Sequence, residues 1–551
     1  GVATDGMRET IGAIAGQFKP LAFLDFKNRH RYFNFINFTQ EFSGIPHCEL
    51  GVDSSLLPED CYEYAHTPVE LFTKLNQLNF PSIVIPHGNT WGFYSPPLTS
   101  LDKQLQEGFH DENVQLLFEV MSGHGNSEEY RPWRAATLNE DGSLGCPEPT
   151  NEYFPSCWRA GEIIAERCLA EGNPETVCQT RELEARNNHL ALGASGYLAI
   201  PGVEIEDWLD SGQCKDCFIP SFNYRPAGSG QYALSLTNFQ QDQPKRFRFG
   251  FIASSDNHRA RPGTGYKEKD RFVITEANGP SSDAIAEVFY PKSQPNSESL
   301  DFGGREGLIG MGFRAFEVER QASFFTSGGL AAVHSSGRDR QSIWDSMIRK
   351  ETYGTSGDRI LLWFDLVNGE EKISMGGEIS TTENPKFIVK AIGSLKQKPG
   401  CPDYSDTKIT KEDIARICKN ECYNPSDERK IITRIEVIKI SPQINPGEKV
   451  DNLIEDPWKV IDCPLDQNGC EISFEDTSYS ENQRDVSFYV RAIQEPSPSV
   501  NAKNIRCEYN EKGECIKVNM CYGDNRTAKD DDCLSMIEER AWSSPIFVDY
   551  L

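Results

Sequence analysis

Phe249-Gly250-Phe251-Ile252-Ala253-Ser254-Ser255 runs directly into Asp256-Asn257-His258. A short, continuous apolar run of this length reads as a buried strand. It ends on one carboxylate and one imidazole. Residues i and i+2 of an extended segment point the same way, so Asp256 and His258 are expected to aim at one ion. Both ligand types suit Zn, Mn or Fe. Two further apolar runs end in the same manner. Ile83-Val84-Ile85 leads to Pro86-His87-Gly88-Asn89, and Leu116-Leu117-Phe118-Glu119-Val120 is soon followed by Ser122-Gly123-His124-Gly125-Asn126-Ser127-Glu128. In α/β barrels and open sheets the active site lies just past the carboxyl ends of the strands. Three strands delivering His, or Asp plus His, to that place predict a metal site of His87, His124, Asp256 and His258.

The surrounding chain alternates helix-like and strand-like segments. Thr67-Pro68-Val69-Glu70 reads as a helix start, with Thr as cap, Pro at the first helical position and Glu closing a capping box. Leu71, Phe72, Leu75 and Leu78 then share one face. Phe80 to Pro86, Val114 to Met121 and Arg248 to Ser255 read as strands. Ala160 to Ala170 and Arg340 to Lys350 read as helices, the latter with Ile343, Trp344, Met347 and Ile348 inward. This pattern predicts an α/β barrel or open parallel sheet. The last third is different. Lys386 to Ile392, Ile431 to Ile440, Val486 to Ala492 and Pro545 to Tyr550 have strand composition, with clustered Cys between them. It reads as a β-sandwich with stapled loops. The expected division is therefore an α/β barrel over residues 1–355 and a disulfide-rich β-sandwich over 356–551.

The 551 residues carry 56 Lys and Arg against 83 Asp and Glu, a net charge of −27. Such a chain lacks the basic footprint that nucleic acid or an anionic membrane surface requires. No run of 18 apolar residues exists, so no transmembrane helix is expected. The 17 Cys include close pairs at 168/178, 214/217, 418/422 and 463/470, and a cluster at 507/515/521/533. They point to disulfides in an oxidising compartment, periplasmic or extracellular. The odd number leaves one thiol free, or paired with an assembly partner outside the chain.

The run from Phe251 to Glu268, FIASSDNHRARPGTGYKE, closely resembles a signature of the PHP-like "domain of unknown function 3604" family. Ile85 to Gly92, Ser122 to Glu128, Gly328 to His334, Arg349 to Gly357 and Ser543 to Val548 fit the same family. The resemblance implies a distorted (β/α)7-type barrel of the polymerase-and-histidinol-phosphatase (PHP) superfamily. Such barrels hold two or three divalent ions and hydrolyse phosphoesters or, in some relatives, carboxylic or carbamic esters. Carried over by motif, His87, His124, Asp256 and His258 resemble metal ligands, and Glu41 the bridging glutamate. The opening His-x-His and Thr-Asp-His motifs are absent, since Thr4-Asp5-Gly6 carries no His. The resemblance therefore implies either a preceding segment that completes the site or the loss of its first metal subsite.

The expected activity is metal-assisted hydrolysis of a small anionic or ester substrate, in which the ions lower the pKa of bound water. Arg259, Arg261 and Lys267 follow the Asp-x-His pair and are expected to clamp the anion. Glu128 is read as a ligand or as the group that orients His124. His334 is read as structural or as reaching the same face, and His47 as structural or as an extra ligand. The alternative from a different class is a non-catalytic extracellular binding or structural protein on a degenerate PHP scaffold, such as a subunit of a surface assembly.

Overall fold

In a computed structural model of the chain, the description covers residues 29–551 apart from 94, 107, 241–243, 259–262, 270, 278, 281, 290–292, 309–316, 370 and 408, together with 19, 22, 23 and 26. The apolar run before His124 forms β1 (Leu117–Ser122), and Gly125–Asn126 (β2) folds back on it. The run before Asp256 forms β3 (Gly250–Ala253), parallel to β1 with Phe118 opposite Phe251. All residues of β1 and β3 are buried, as a continuous apolar pattern requires.

Two expected features of the first part are not seen. Among the described residues no barrel closes, and the parallel pair stops at β2-β1-β3. Ile83 to Ile85 also forms no strand. It makes a single hydrogen bond of the ladder type, from the Val84 N–H to the Val114 carbonyl at 2.8 Å. Pro81 and Pro86 bracket it, and neither has an N–H to extend a ladder. The segment between β1 and β3 is instead mainly helical and irregular. It includes α3 (Ser156–Ala170) and α4 (Glu175–Ala191), which follow α1 (Arg29–Gly44) and α2 (Pro68–Gln77). Helix α2 starts as its sequence predicts: Thr67 Oγ accepts from the Glu70 N–H, while the Glu70 carboxylate accepts from the His66 N–H.

Two larger sheets follow. One has eight strands: β4 (Leu330–Val333), β5 (Thr352–Thr355), β8 (Glu378–Thr381), β10 (Ile432–Ile440), β11 (Ile454–Asp462), β13 (Val486–Gln494), β14 (Arg540–Ser543) and β15 (Ile546–Tyr550). Its path is β8-β15-β13-β14-β5-β4, and β10 joins β13 to β11. The other has the order β12-β9-β6-β7, built from β6 (Leu361–Asn368), β7 (Glu371–Ser374), β9 (Lys386–Ile392) and β12 (Cys470–Glu475). Strands β4 and β5 precede residue 356 yet belong to the eight-stranded sheet. Helix Arg340–Ile348 between them buries Ser346, while Ile348 is 37% exposed, so its apolar residues do not point inward as a set.

The eight-stranded sheet is the middle of three layers. On one face Val437, Phe488, Val490 and Val548 pack with Leu362, Phe364, Phe387 and Val389 of the four-stranded sheet. On the other face Ile438, Ile440, Tyr489 and Trp542 pack with Phe118 and Phe251 of the small parallel sheet and with Phe249 just before β3. Coverage on both faces explains why all nine residues of β13 are buried although its sequence alternates. The rings of Phe251 and Tyr489 meet edge-on with centroids 5.1 Å apart. Each such buried aromatic contributes roughly 1.5–3 kcal/mol through removal of apolar surface from water.

The layers are also joined by a buried ionic network. The Arg491 guanidinium donates to Glu128 Oε1 at 2.7 Å and forms a two-pronged contact with Asp456 at 2.6 Å on each prong. Tyr489 and Trp542 donate to the Glu128 carboxylate, and Gln231 donates to both Asp456 and Tyr489. Glu128 has no exposed surface. Its expected role beside His124 is therefore replaced by a structural one, holding the N-terminal half to the middle sheet.

Eight disulfides join 48–61, 146–157, 168–178, 214–217, 401–422, 463–470, 507–515 and 521–533. Cys422 pairs with Cys401, so Cys418 is the odd thiol. Titration of the unreduced, denatured chain with a thiol reagent is expected to find one reactive group per chain, located at Cys418 by peptide mapping. A second labelled position would contradict this pairing.

Burial pushes the carboxyls of Glu128 and Glu268 up to about 7, and those of Glu317 and Glu539 up to about 8. The native state thus keeps protons that the unfolded chain releases near 4.5. A raised folded pKa means stability that is present at low pH and lost as pH rises through the folded value. Burial also drives His189 down to about 3 and lowers His110, which has the opposite sign, but only below their ordinary 6.5. Above that the acids are opposed by neither histidine. The melting temperature is expected to fall by several degrees from about pH 6.5 to about pH 8.5, since each retained proton is worth about 1.4 kcal/mol per pH unit. A melting temperature that is flat or rising across that window in a calorimetric pH series would be the contrary result.

Candidate metal centre

The parallel pairing of β1 with β3 sets two chain reversals side by side. The Ser254 N–H donates to the Met121 carbonyl at 2.9 Å, and the Gly329 N–H to the Ser254 carbonyl at 2.6 Å. Gly123 and Gly328 make the approach possible: a methyl at Gly123 would lie 2.6 Å from the Ser255 carbonyl oxygen, and one at Gly328 2.4 Å from Ser255 Cα. His124 and Asp256 emerge from these reversals. His87 enters from the loop after residues 83–85.

His87, His124 and Asp256 each offer a ligand atom, and the three atoms lie within 4.8 Å of one another. His87 Nε2 is 3.3 Å from Asp256 Oδ2, and His124 Nδ1 touches the same oxygen. His124 Nδ1 and Asp256 Oδ2 are buried, yet neither makes a hydrogen bond of acceptable geometry, despite their proximity. Buried polar atoms left in this way are uncommon. Two imidazole nitrogens and one carboxylate oxygen converging on one point suit a divalent ion of the Zn, Mn or Fe class. Burial opposes ionisation of Asp256, but contact with His124 and the fields of His87 and His258 outweigh it and hold the carboxyl below its ordinary range.

His258 does not join this tight group. Asp256 has φ +47°, so the chain leaves the extended form there and the i, i+2 rule no longer applies. A positive φ at a non-glycine residue is strained and is often found at functional sites. The His258 side chain is 65% exposed at the rim, its Nε2 3.9 Å from Asp256 Oδ1 and its Nδ1 3.7 Å from Glu276 Oε1. Its backbone N–H donates to Glu276 Oε1 at 2.9 Å.

Four groups at the centre were not singled out in the sequence. Glu119, on β1, accepts from His87 Nδ1 at 2.5 Å and from the Ser254 hydroxyl. That hydrogen bond holds the His87 imidazole above its ordinary pKa against the opposing effect of burial. A lone carboxylate inside the apolar run Leu116 to Met121 was the available signal. Trp91 lies flat on the His124 ring, centroids 4.0 Å apart and planes 11° from parallel, and Phe325 closes the side at 5.4 Å. Glu276 had no local signal.

The remaining expected site residues lie elsewhere. Glu41 is exposed on α1. His47 packs on the rings of Tyr62 and Tyr64 beside the Cys48–Cys61 disulfide. His334 contacts the Leu362 carbonyl through Nε2 at 2.8 Å and lies against Tyr353 and Trp363. The Lys267 ammonium pairs with Glu421 and donates to the carbonyls of Gly400 and Cys422, so it ties the loop after β3 to the C-terminal region and does not clamp an anion. Arg259 and Arg261 fall outside the described residues.

Residues 233–398 match a family model described as Protein of unknown function (DUF3604). The match takes in β3, Asp256 and His258; Glu119, His87 and His124 precede it. No curated protein and no solved structure matches the chain.

Proposed function

We propose that the protein is a metal-dependent hydrolase of phosphoesters or other esters. The observation that carries this is the convergence of His87, His124 and Asp256, with two of their atoms buried and lacking hydrogen bonds. The resemblance of the motifs around His87, His124 and Asp256 to those of PHP-like metallohydrolases supports the same reading. His87, His124 and Asp256 hold the ion, and Glu119 fixes the ring of His87 by accepting its Nδ1 proton. With a divalent ion bound there, these residues would present a Lewis acid that could polarise a scissile oxygen and lower the pKa of water. Trp91 and Phe325 shield His124 from solvent. His258 stands exposed at the rim, within reach of Asp256 and Glu276, where it exchanges protons with substrate and solvent.

Eight disulfides, and the absence among the described residues of a helix long and apolar enough to cross a membrane, support a periplasmic or extracellular site of action. The test is elemental analysis of natively purified protein together with hydrolysis of phosphomonoester, phosphodiester and carboxylic ester panels. Stoichiometric Zn, Mn or Fe and hydrolysis of one panel are expected, both lost in His124→Ala and Asp256→Ala. Metal binding without hydrolysis would favour a non-catalytic binding protein, and failure to retain any transition metal would overturn the reading.

A further inference from the structure

Behind the metal centre, four segments of chain meet around a buried guanidinium. The Arg225 N–H donates to the Thr90 carbonyl and the Gly92 N–H to the Phe222 carbonyl, both at 2.9 Å. The Gly212 N–H donates to the Phe154 carbonyl at 2.7 Å, and the Asn223 N–H to Gln213 Oε1 at 3.0 Å. Residues 90–93, 95, 153–156, 211–213 and 222–225 therefore enclose one interior region. Gly92 and Gly212 let the backbone close around it. A methyl at Gly92 would lie 3.0 Å from Arg225 Cζ, and one at Gly212 2.6 Å from Asn223 Oδ1.

Arg225 is 2% exposed. Its Nε donates to the Ser95 carbonyl at 3.1 Å and its Nη1 to Asn223 Oδ1 at 3.2 Å. Among the described residues no carboxylate pairs with it. The other buried arginines differ. Arg491 has Glu128, Asp456 and Glu436, Arg320 has Glu317 at 3.9 Å, and Arg271 feels Asp531 and Asp524. The titratable groups that feel Arg225 are two tyrosines, Tyr153 and Tyr197, and His189. Both tyrosines are held above their ordinary range by burial and stay protonated, while burial first and then Arg225 keep His189 neutral. None of these neutralises the guanidinium.

The same region holds an unusual set of buried polar atoms without hydrogen-bond partners: Tyr153 Oη, Ser211 Oγ, Gln213 Nε2 and both ring nitrogens of His189. Gln213 Nε2 can only donate, and the hydroxyls and one imidazole nitrogen can donate as well. A buried cation without a counter-charge is costly, and so is each orphaned donor. One small acceptor with negative charge would relieve both. We propose that this region is an anion site, in which a small inorganic anion, halide or oxyanion, neutralises Arg225 and accepts from Tyr153 and its neutral neighbours. The site backs onto the loop that carries His87 and Trp91, because Arg225 holds that loop at Thr90 and Ser95. It does not depend on whether an ion occupies His87, His124 and Asp256.

The experiment uses the full chain, stripped of metal, with thermal unfolding followed at constant ionic strength while gluconate is replaced by chloride, bromide or phosphate. A saturable rise in melting temperature is expected with at least one of them, since a ligand that binds only the native state stabilises it by mass action. A response to chloride and bromide identifies a halide site, and a response to phosphate an oxyanion site. Crystals grown in bromide are expected to show anomalous density at Arg225 in the halide case. Arg225→Gln risks misfolding, so the informative variant is Tyr153→Phe, which keeps the ring stacked on Trp133 at 3.8 Å and removes one donor. It is expected to weaken the apparent anion affinity about ten-fold or more, the usual worth of a hydrogen bond to a charged group. The inference is overturned if melting follows ionic strength alone whichever anion is present. It is equally overturned if Tyr153→Phe responds to the anion as the wild type does.

Discussion

Arg491→Met is expected to destabilise the protein by about 3–5 kcal/mol, the usual cost of removing one partner from a buried ion pair. Arg491 is 3% exposed and neutralises Glu128, Asp456 and part of the charge on Glu436. Methionine fills much of the same volume and supplies none of the hydrogen bonds. Glu128 is already pushed up to about 7, burial being the largest cause and Arg491 the largest opposing one. Without the guanidinium its carboxyl must take up a proton at higher pH still. A raised folded pKa loses stability as pH rises, so the defect should be larger at pH 8 than at pH 5. Denaturant unfolding at the two pH values measures it. Glu128→Gln, which keeps the shape and removes the charge, should cost less than Arg491→Met, and the double variant less than the sum of the two. A loss below about 1 kcal/mol for Arg491→Met would place this contact with exposed ion pairs and remove its role in joining the layers.

Glu119→Gln is expected to weaken metal binding about 10–100-fold, the effect typical of removing the carboxylate behind a metal-bound histidine. Glu119 is 8% exposed and sits between His87 Nδ1 and the Ser254 hydroxyl. As an acceptor it keeps the proton on Nδ1 and leaves Nε2 free toward Asp256. Glutamine can rotate to accept one of these bonds but brings no charge, and the ring becomes less basic. Competition titration with a chromogenic chelator reads the affinity. The melting temperature of the metal-free variant separates a folding defect from a binding defect. Unchanged affinity in a folded variant would mean that Glu119 serves the packing of β1 alone.

Local patterns account for much of the site. The apolar runs before His124 and Asp256 became β1 and β3, because a continuous apolar segment of that length has few other ways to be buried. The three residues that converge, His87, His124 and Asp256, were all visible as polar ends to apolar runs. Glu119 is equally visible as a carboxylate inside an apolar strand. His258 was expected from the geometry of an extended segment, and the positive φ at Asp256 removed that geometry. Lys267, Glu128 and His334 had the right chemistry and the wrong neighbours. Their partners, Glu421, Arg491 and the Leu362 carbonyl, lie 154, 363 and 28 residues away in the chain, and no local pattern reports them.

The sequence by itself determined the strands of the last third, the start of α2, the odd thiol and the three residues that cluster at the candidate centre. These depend on periodicity, capping chemistry and residue type, which act over a few neighbouring positions. Tertiary structure alone decided that no barrel closes among the described residues and that the eight-stranded sheet lies between two others. It also decided which acids face Arg491 and that, among the described residues, none pairs with Arg225. Those outcomes depend on which buried faces and charges meet across long stretches of chain, where the desolvation of each group is set by partners that its own segment does not contain.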